Sequence, residues 1–444
     1  MAVYRGIPYA QPPVGALRWR APQALERWRL PRSARNFGAI CMQVFPTSDA
    51  GVGNESPSED CLTLNIWAPP NGGNHRPVMV WLHGGGYTSG SGSAPLYDGT
   101  ALAARGVVVV TINYRLGRFG FFAHPELFSA GEGANFGLLD QRAALRWVQR
   151  NISAFGGDPH RVTLFGNSAG GESVLFHMAA RGSRGLFYRA IVQSGLGGRS
   201  LKTALSAVEP QRSAFSLADL RALPAASVLG WGNPSVYQGF GPTIDKVTVD
   251  ETIETTFRAH RQAPIPLVIG YNSFEIPPFA VGGTTAAMAL VDHEADKREA
   301  GIQAYRGIAA YEQRIASDAL FRAPALRLAQ LHAHYGGPTW VYEFDAVSPA
   351  IAARLSGAPH ASERAYVFDT LDMLGWPTDE RDAQLSRELG DRWVAFAKGD
   401  APESHYALWP QATSRDTRPL VFSRGAARQS ASMSRSLTHF FKLQ

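Results

Sequence analysis

Residues 161 to 174, RVTLFGNSAGGESV, set an apolar β-branched run against Gly166-Asn167-Ser168-Ala169-Gly170 and then against a stretch that reads as a helix. A serine at this spacing between two glycines is either a turn residue or a nucleophile. The second reading needs a strained strand-to-helix turn that lifts the hydroxyl out of a sheet, with small residues on either side so that strand and helix can approach. It also gains from a helix N-terminus, where the dipole and free N–H groups favour developing negative charge. G-x-S-x-G alone decides nothing, because roughly 0.3 copies arise by chance in 444 residues of this composition.

A second element is VMVWLHGGGYTSGSG. His83-Gly84-Gly85-Gly86 arises by chance in about one such chain in a hundred, and it follows a buried-strand pattern. The N–H groups of Gly85 and Gly86, with that of Ala169, are then candidates to bind the oxyanion of a tetrahedral intermediate. A flexible glycine turn is the bland alternative; a phosphate loop is excluded, since no G-K-[ST] follows.

Elements able to position these residues are legible. Apolar runs bounded by Gly or Pro recur at Val78 to Leu82, Val107 to Ile112, Val162 to Phe165, Ala190 to Val192, Leu267 to Ile269 and Trp340 to Phe344. Near-continuous apolar strands are buried on both faces, which predicts a largely parallel sheet covered by helices. LLDQRAALRWVQRNI, between the second and third runs, spaces Leu139, Ala143 and Trp147 four apart and places Arg146 and Arg150 late, as a crossover helix should. The expected class is α/β, one domain over residues 1 to 444, with excursions at about 199–264 and 286–335 that shape a pocket. The first is rich in proline (210, 224, 234, 242 and 264) and the second in alanine.

Composition narrows the rest. With 45% hydrophobic and 18% charged residues the chain is ordinary globular protein, and its charge of +6 comes from 43 basic and 37 acidic residues mixed along the sequence. No basic block marks a nucleic-acid partner, and no apolar run reaches the roughly 18 residues a membrane span needs. MAVYRGIPYAQPPVG lacks the charged and apolar regions of a signal peptide. Cys41 and Cys61 are either two buried thiols or one disulfide. His332 and His334 do not face each other at their spacing on a helix and read as a surface feature rather than a metal site.

The motifs GIPYAQPPVGALRW, SEDCLTLNIWAP, VWLHGGGY, INYRLGRFGFFAHPE, NFGLLDQRAALRWVQRNISAFGGDPHRVTLFGNSAGG and IVQSG stand in an order that resembles the type B carboxylesterases, the cholinesterase-like branch of the α/β-hydrolases. The likeness runs from about residue 4 to the closing WVAFAKGDAP and WP. It implies ester hydrolysis through an acyl-serine, a small-molecule ester substrate, and no metal or organic cofactor. The family's acid lies in a G-x-N-x-x-E pattern, which places it at Glu275, and its histidine in a G-x-x-H loop, which places it at His360. On residue types alone, each could equally be a solvated loop residue. The resemblance also implies a disulfide between Cys41 and Cys61, which would favour a periplasmic or secreted protein over a cytoplasmic one. Ser194 of IVQSG would either hydrogen-bond near the acid or sit as a buried strand-end serine.

Departures from the pattern carry their own expectations. Many members have Glu immediately before the nucleophile, where this chain has Asn167, and cholinesterases have Trp where it has Gly51. A quaternary ammonium group wants an aromatic face and negative charge, so choline esters are not expected as substrates. Ala361 stands where a glycine often follows the histidine. The chain is short for the family and begins inside its usual first motif, which leaves room for an N-terminal strand or leader before it. The same acyl chemistry would serve amides, thioesters or polyesters, and some relatives only bind partners. Competent residues at all three triad positions speak against the latter. Oligomeric state is not encoded legibly.

Overall fold

The computed structural model describes all residues except 27, 45–50, 70–72, 199–200, 232–240, 278–282, 292–294, 403–405, 431–432 and 444. Pro234 and parts of both excursions therefore lie outside the described residues. Twelve strands are described: β1 (Ala2–Pro8), β2 (Ile40–Cys41), β3 (Pro57–Ser58), β4 (Thr63–Ala68), β5 (Arg76–Leu82), β6 (Val108–Ile112), β7 (Gly157–Asn167), β8 (Arg189–Gln193), β9 (Leu267–Asn272), β10 (Thr339–Phe344), β11 (Leu420–Phe422) and β12 (Arg428–Gln429). Ten form one sheet in the order β1-β4-β6-β5-β7-β8-β9-β10-β11-β12, and β2 and β3 pair separately.

The six apolar runs of the sequence become β5 to β10, which lie side by side and pair in parallel. Antiparallel pairing is confined to the margins, at β1 with β4, β4 with β6, and β11 with β12. This is the mostly parallel sheet of the α/β-hydrolase fold. Parallel neighbours need crossover connections, and the helix Phe136–Asn151 supplies one between β6 and β7. Its apolar side buries Leu145 and Val148 completely. One face of the sheet packs around Trp81, whose ring lies 4.8 Å from Phe165 and 5.0 Å from Phe368.

Both excursions carry helices, the first only short ones between irregular stretches. The first carries the short helices Leu217–Ala222, Ala225–Leu229 and Ile253–Arg258. The second carries Ile308–Ser317, a π-helical turn at Asp318–Arg322, and Ala323–His334. Cys41 and Cys61 form a disulfide. No described helix is long and apolar enough to cross a membrane. His334 is exposed, but His332 is buried, with Nε2 2.9 Å from the Ile265 carbonyl, so the expected surface pair is half a core feature.

Candidate active site

The C-terminal ends of the parallel strands collect the loops singled out in the sequence, as ligand sites in open α/β sheets do. β7 ends at Asn167 and the helix Ala169–Ala179 begins two residues later. Ser168 alone makes the turn, at φ 57° and ψ −123°. A non-glycine residue at positive φ costs on the order of 1–3 kcal/mol and persists only where its surroundings impose it. Here they do. The Ser168 N–H donates to the Gln193 carbonyl at 2.8 Å, and its own carbonyl accepts from the Glu172 N–H at 2.8 Å. A Cβ on Gly166 would lie 2.6 Å from the Gly170 carbonyl carbon, and one on Gly170 would lie 2.0 Å from the Leu82 carbonyl oxygen. The two glycines are thus required by the closeness of β5, β7 and the following helix.

The glycine loop after β5 lies against this turn. A Cβ on Gly84 would be 3.1 Å from the Ser168 Cβ, which sets the loop beside the serine. Gly85 and Gly86 both have positive φ, at 107° and 61°. The Gly85 carbonyl accepts from the N–H groups of Thr88 and Ser89, each at 3.0 Å. Ala169, as first residue of its helix, has an N–H without an intrahelical acceptor. The loop after β6 braces the arrangement: the Tyr114 hydroxyl donates to the His83 carbonyl at 2.7 Å, and the Gly117 N–H donates to the Tyr87 carbonyl at 2.7 Å. Arg115 is held by a bidentate pair with buried Asp140 on the crossover helix, both bonds 2.7 Å. Removing Arg115 would strand a buried carboxylate, a loss of about 3–5 kcal/mol. The INYRLG segment is therefore a clamp on the glycine loop.

Glu275 and His360 meet, although 85 residues apart. His360 Nδ1 lies 2.5 Å from Glu275 Oε2, with the Glu275 side chain 1% exposed and that of His360 23% exposed. The other carboxylate oxygen, Oε1, accepts the Asn272 N–H at 2.7 Å, which fixes the carboxylate at the end of β9. The ring of Phe321, from the π-helical turn, packs 4.9 Å from the His360 ring. Ala361 has φ 66°, the left-handed conformation that favours glycine. Ser194 is buried at φ 52°, and among the described residues its hydroxyl has no partner, so it does not bond the acid.

One residue escaped sequence reading. Glu363, three positions after His360, is 1% exposed, and its Oε1 accepts from Asn167 Nδ2 at 2.6 Å and from Gln193 Nε2 at 3.1 Å. Oε2 accepts from Asn272 Nδ2 at 2.8 Å. Burial, then the neighbouring Glu275 charge, push its carboxyl above the usual range, while the Asn272 bond, His360 and the Gln193 bond pull it down. Asn167 itself is fully buried. Asn167 is thus held, behind the turn, by a buried carboxylate from position 363. The amide at 167 was the only sequence hint of it.

Strand-end loops carrying a strained serine, a glycine loop and a histidine–carboxylate pair on such a sheet define a hydrolase of the α/β class. The chain belongs to the carboxylesterase family, whose model matches residues 1–229 and 296–440. It is 37% identical to the para-nitrobenzyl esterase of Bacillus subtilis (strain 168) over 441 residues, 92% of this chain and 88% of that protein. It is 34% identical to the fumonisin B1 esterase of Sphingopyxis macrogoltabida over 455 residues, 92% of this chain and 81% of that protein. A solved structure of a PNB esterase superposes with a TM-score of 0.86 at 32% identity, covering 99% of this chain and 95% of that one. The protein is accordingly a carboxylic ester hydrolase acting on small-molecule esters.

Proposed function

We propose that Ser168, His360 and Glu275 form the catalytic triad, within a single α/β-hydrolase domain, and that Gly85, Gly86 and Ala169 supply the oxyanion hole. The contact between His360 and Glu275 carries this reading: a buried carboxylate, fixed by a backbone N–H, holds Nδ1 of a part-exposed imidazole. The family match contains Ser168 and His360 but not Glu275, whose assignment rests on that contact.

In the proposed cycle Ser168 Oγ attacks the ester carbonyl while His360 Nε2 takes its proton. The carbonyl π electrons move to oxygen, and that oxyanion is held by the three N–H groups. The tetrahedral adduct collapses to the acyl-serine and expels the alkoxide, which receives the proton from His360. Water, deprotonated by the same base, then attacks the acyl-serine, releasing the carboxylic acid and restoring Ser168. Glu275 keeps the Nδ1 tautomer and stabilises the transient imidazolium.

The relatives' names point to activated aryl and benzyl esters as assay substrates. Choline esters are expected to be refused, since Asn167 and Gly51 offer neither the charge nor the aromatic face a quaternary ammonium requires. The excursions at 199–264 and 286–335 wall the pocket, a reading that Phe321 on the His360 ring supports. The disulfide favours an oxidising compartment, periplasmic or extracellular. Intact mass after reaction with a p-nitrophenyl phosphonate tests the triad: one covalent adduct, mapping to Ser168 and absent from Ser168→Ala, is the expected result. An adduct retained by that variant refutes it. A panel of matched esters, thioesters and amides then ranks the leaving groups.

A further inference from the structure

About 15 Å from the nucleophile turn, at the far end of the helix Ala169–Ala179, lies a cavity of about 260 Å³. Its wall carries three arginines, Arg142, exposed Arg181 and Arg261, beside the carboxylates Asp250 and Glu251. Arg142 reaches it from the crossover helix and Arg181 from the turn that follows the Ala169–Ala179 helix. Among the described residues, neither guanidinium makes a hydrogen bond or an ion pair. Arg142 is half-buried and closely seated, since a Cβ on Gly182 would lie 2.3 Å from its Nη1. The Thr248 hydroxyl, on the same wall, is buried and has no partner.

The carboxylates nearby are largely committed. Asp245 accepts the N–H groups of Val247, Thr248 and Val249 on Oδ1, at 2.8 to 3.1 Å, and that of Ala134 on Oδ2 at 3.0 Å. Glu251, which lines the cavity, binds Arg261 through both oxygens and accepts from Thr256 at 2.8 Å. Asp250 stands exposed at the rim. A half-buried cation that gives up hydration without gaining an acceptor is costly, and planar guanidinium donors match the oxygens of phosphates and carboxylates in pairs.

We propose that this cavity is a binding site for a small polyvalent oxyanion, held by the guanidinium groups of Arg142 and Arg181 and the hydroxyl of Thr248. Burial first, and Arg146 second, push the Arg142 guanidinium below its usual value against the opposing pull of the Asp245 carboxylate, an unfavourable state that a bound anion would relieve further. The site is independent of the ester chemistry.

Calorimetric titration of the full-length protein with inorganic phosphate, and separately with citrate, at fixed ionic strength tests it. One saturable site for either anion is expected, with a melting temperature that rises with ligand as mass action requires. Arg142→Gln should weaken that binding about tenfold or more, and Gly182→Ala, which displaces the guanidinium, should do so without removing a charge. Both variants should retain turnover of p-nitrophenyl esters, which shows that they are folded. A preference for phosphate marks a phosphoryl ligand and a preference for citrate a polycarboxylate. Absence of saturable binding to both, or binding unchanged in Arg142→Gln and Gly182→Ala, overturns the proposal.

Discussion

Ser168 occupies a backbone conformation that its neighbours enforce, and its hydroxyl plays no structural part in that enforcement. The bonds at the turn are made by its N–H and carbonyl. Ser168→Ala should therefore fold like the wild type and lose turnover by about 10⁴-fold or more. A circular dichroism melt beside a p-nitrophenyl ester assay checks both halves; a variant within tenfold of wild type refutes the assignment. Ala361 is the converse case, a residue whose conformation suits it poorly. An L-residue in the left-handed region costs roughly 1–2 kcal/mol, and glycine returns about 0.5–1 of that in backbone entropy. Ala361→Gly should gain about 0.5 kcal/mol in a urea melt with turnover nearly unchanged. A loss exceeding about 1 kcal/mol would show that packing of the methyl outweighs the strain.

At the scale of elements, the helix Ala169–Ala179 is locked to the crossover helix by buried polar groups. His177 Nε2 lies 2.9 Å from Gln141 Oε1, its Nδ1 lies 2.9 Å from Ser183 Oγ, and Gln141 Nε2 donates to Ser173 Oγ at 3.1 Å. Burial first, and the charge of Arg142 second, lower the His177 pKa to about 3. The unfolded chain titrates this residue at the ordinary histidine value of 6.5, so below that pH the unfolded state takes a proton that the native state refuses. Stability then falls by up to about 1.4 kcal/mol per pH unit as pH drops from 6.5, and the loss levels off near 3. Unfolding free energies of wild type and His177→Gln from urea melts should converge by about 2 kcal/mol between pH 7 and pH 5. A constant gap would place the pH dependence elsewhere. Elements also mark where sequence reading succeeds. β5 to β10 announce themselves because burial on both faces forces unbroken apolar runs. β1 is only half-buried, with one buried residue in seven, and β11 and β12 are three and two residues long. β1 and β11 join β4 and β10 far along the chain, and β12 adds only two residues beside β11, so no local pattern records them. The site divides likewise. Ser168 and the glycine loop follow from local backbone demands, whereas nothing in HASER singles out Glu363 until β7, β8 and β9 bring three amides to it.

At the scale of the whole molecule, the Cys41–Cys61 disulfide is tied to the candidate oxyanion loop rather than set apart from it. Gln43, two residues from Cys41, donates to the Gly90 carbonyl at 3.0 Å and accepts the Gly90 N–H at 2.8 Å. The Ser91 N–H donates to the Gly51 carbonyl at 3.0 Å, and Ser91 Oγ accepts the Gly53 N–H at 2.8 Å. Both anchor points lie within the segment the disulfide closes. Closing a loop of 20 residues stabilises by about 3 kcal/mol on chain entropy. Spread over the unfolding entropy of 444 residues, that moves the melting temperature by only about 3 °C. The local effect should be larger, because the lost constraint falls on the loop that carries Gly85 and Gly86. The double variant Cys41→Ser/Cys61→Ser should therefore melt a few degrees early yet lose ester turnover well below its melting temperature, through kcat more than KM. Activity and tertiary signal lost together, at one temperature, would show that the bond serves global stability alone.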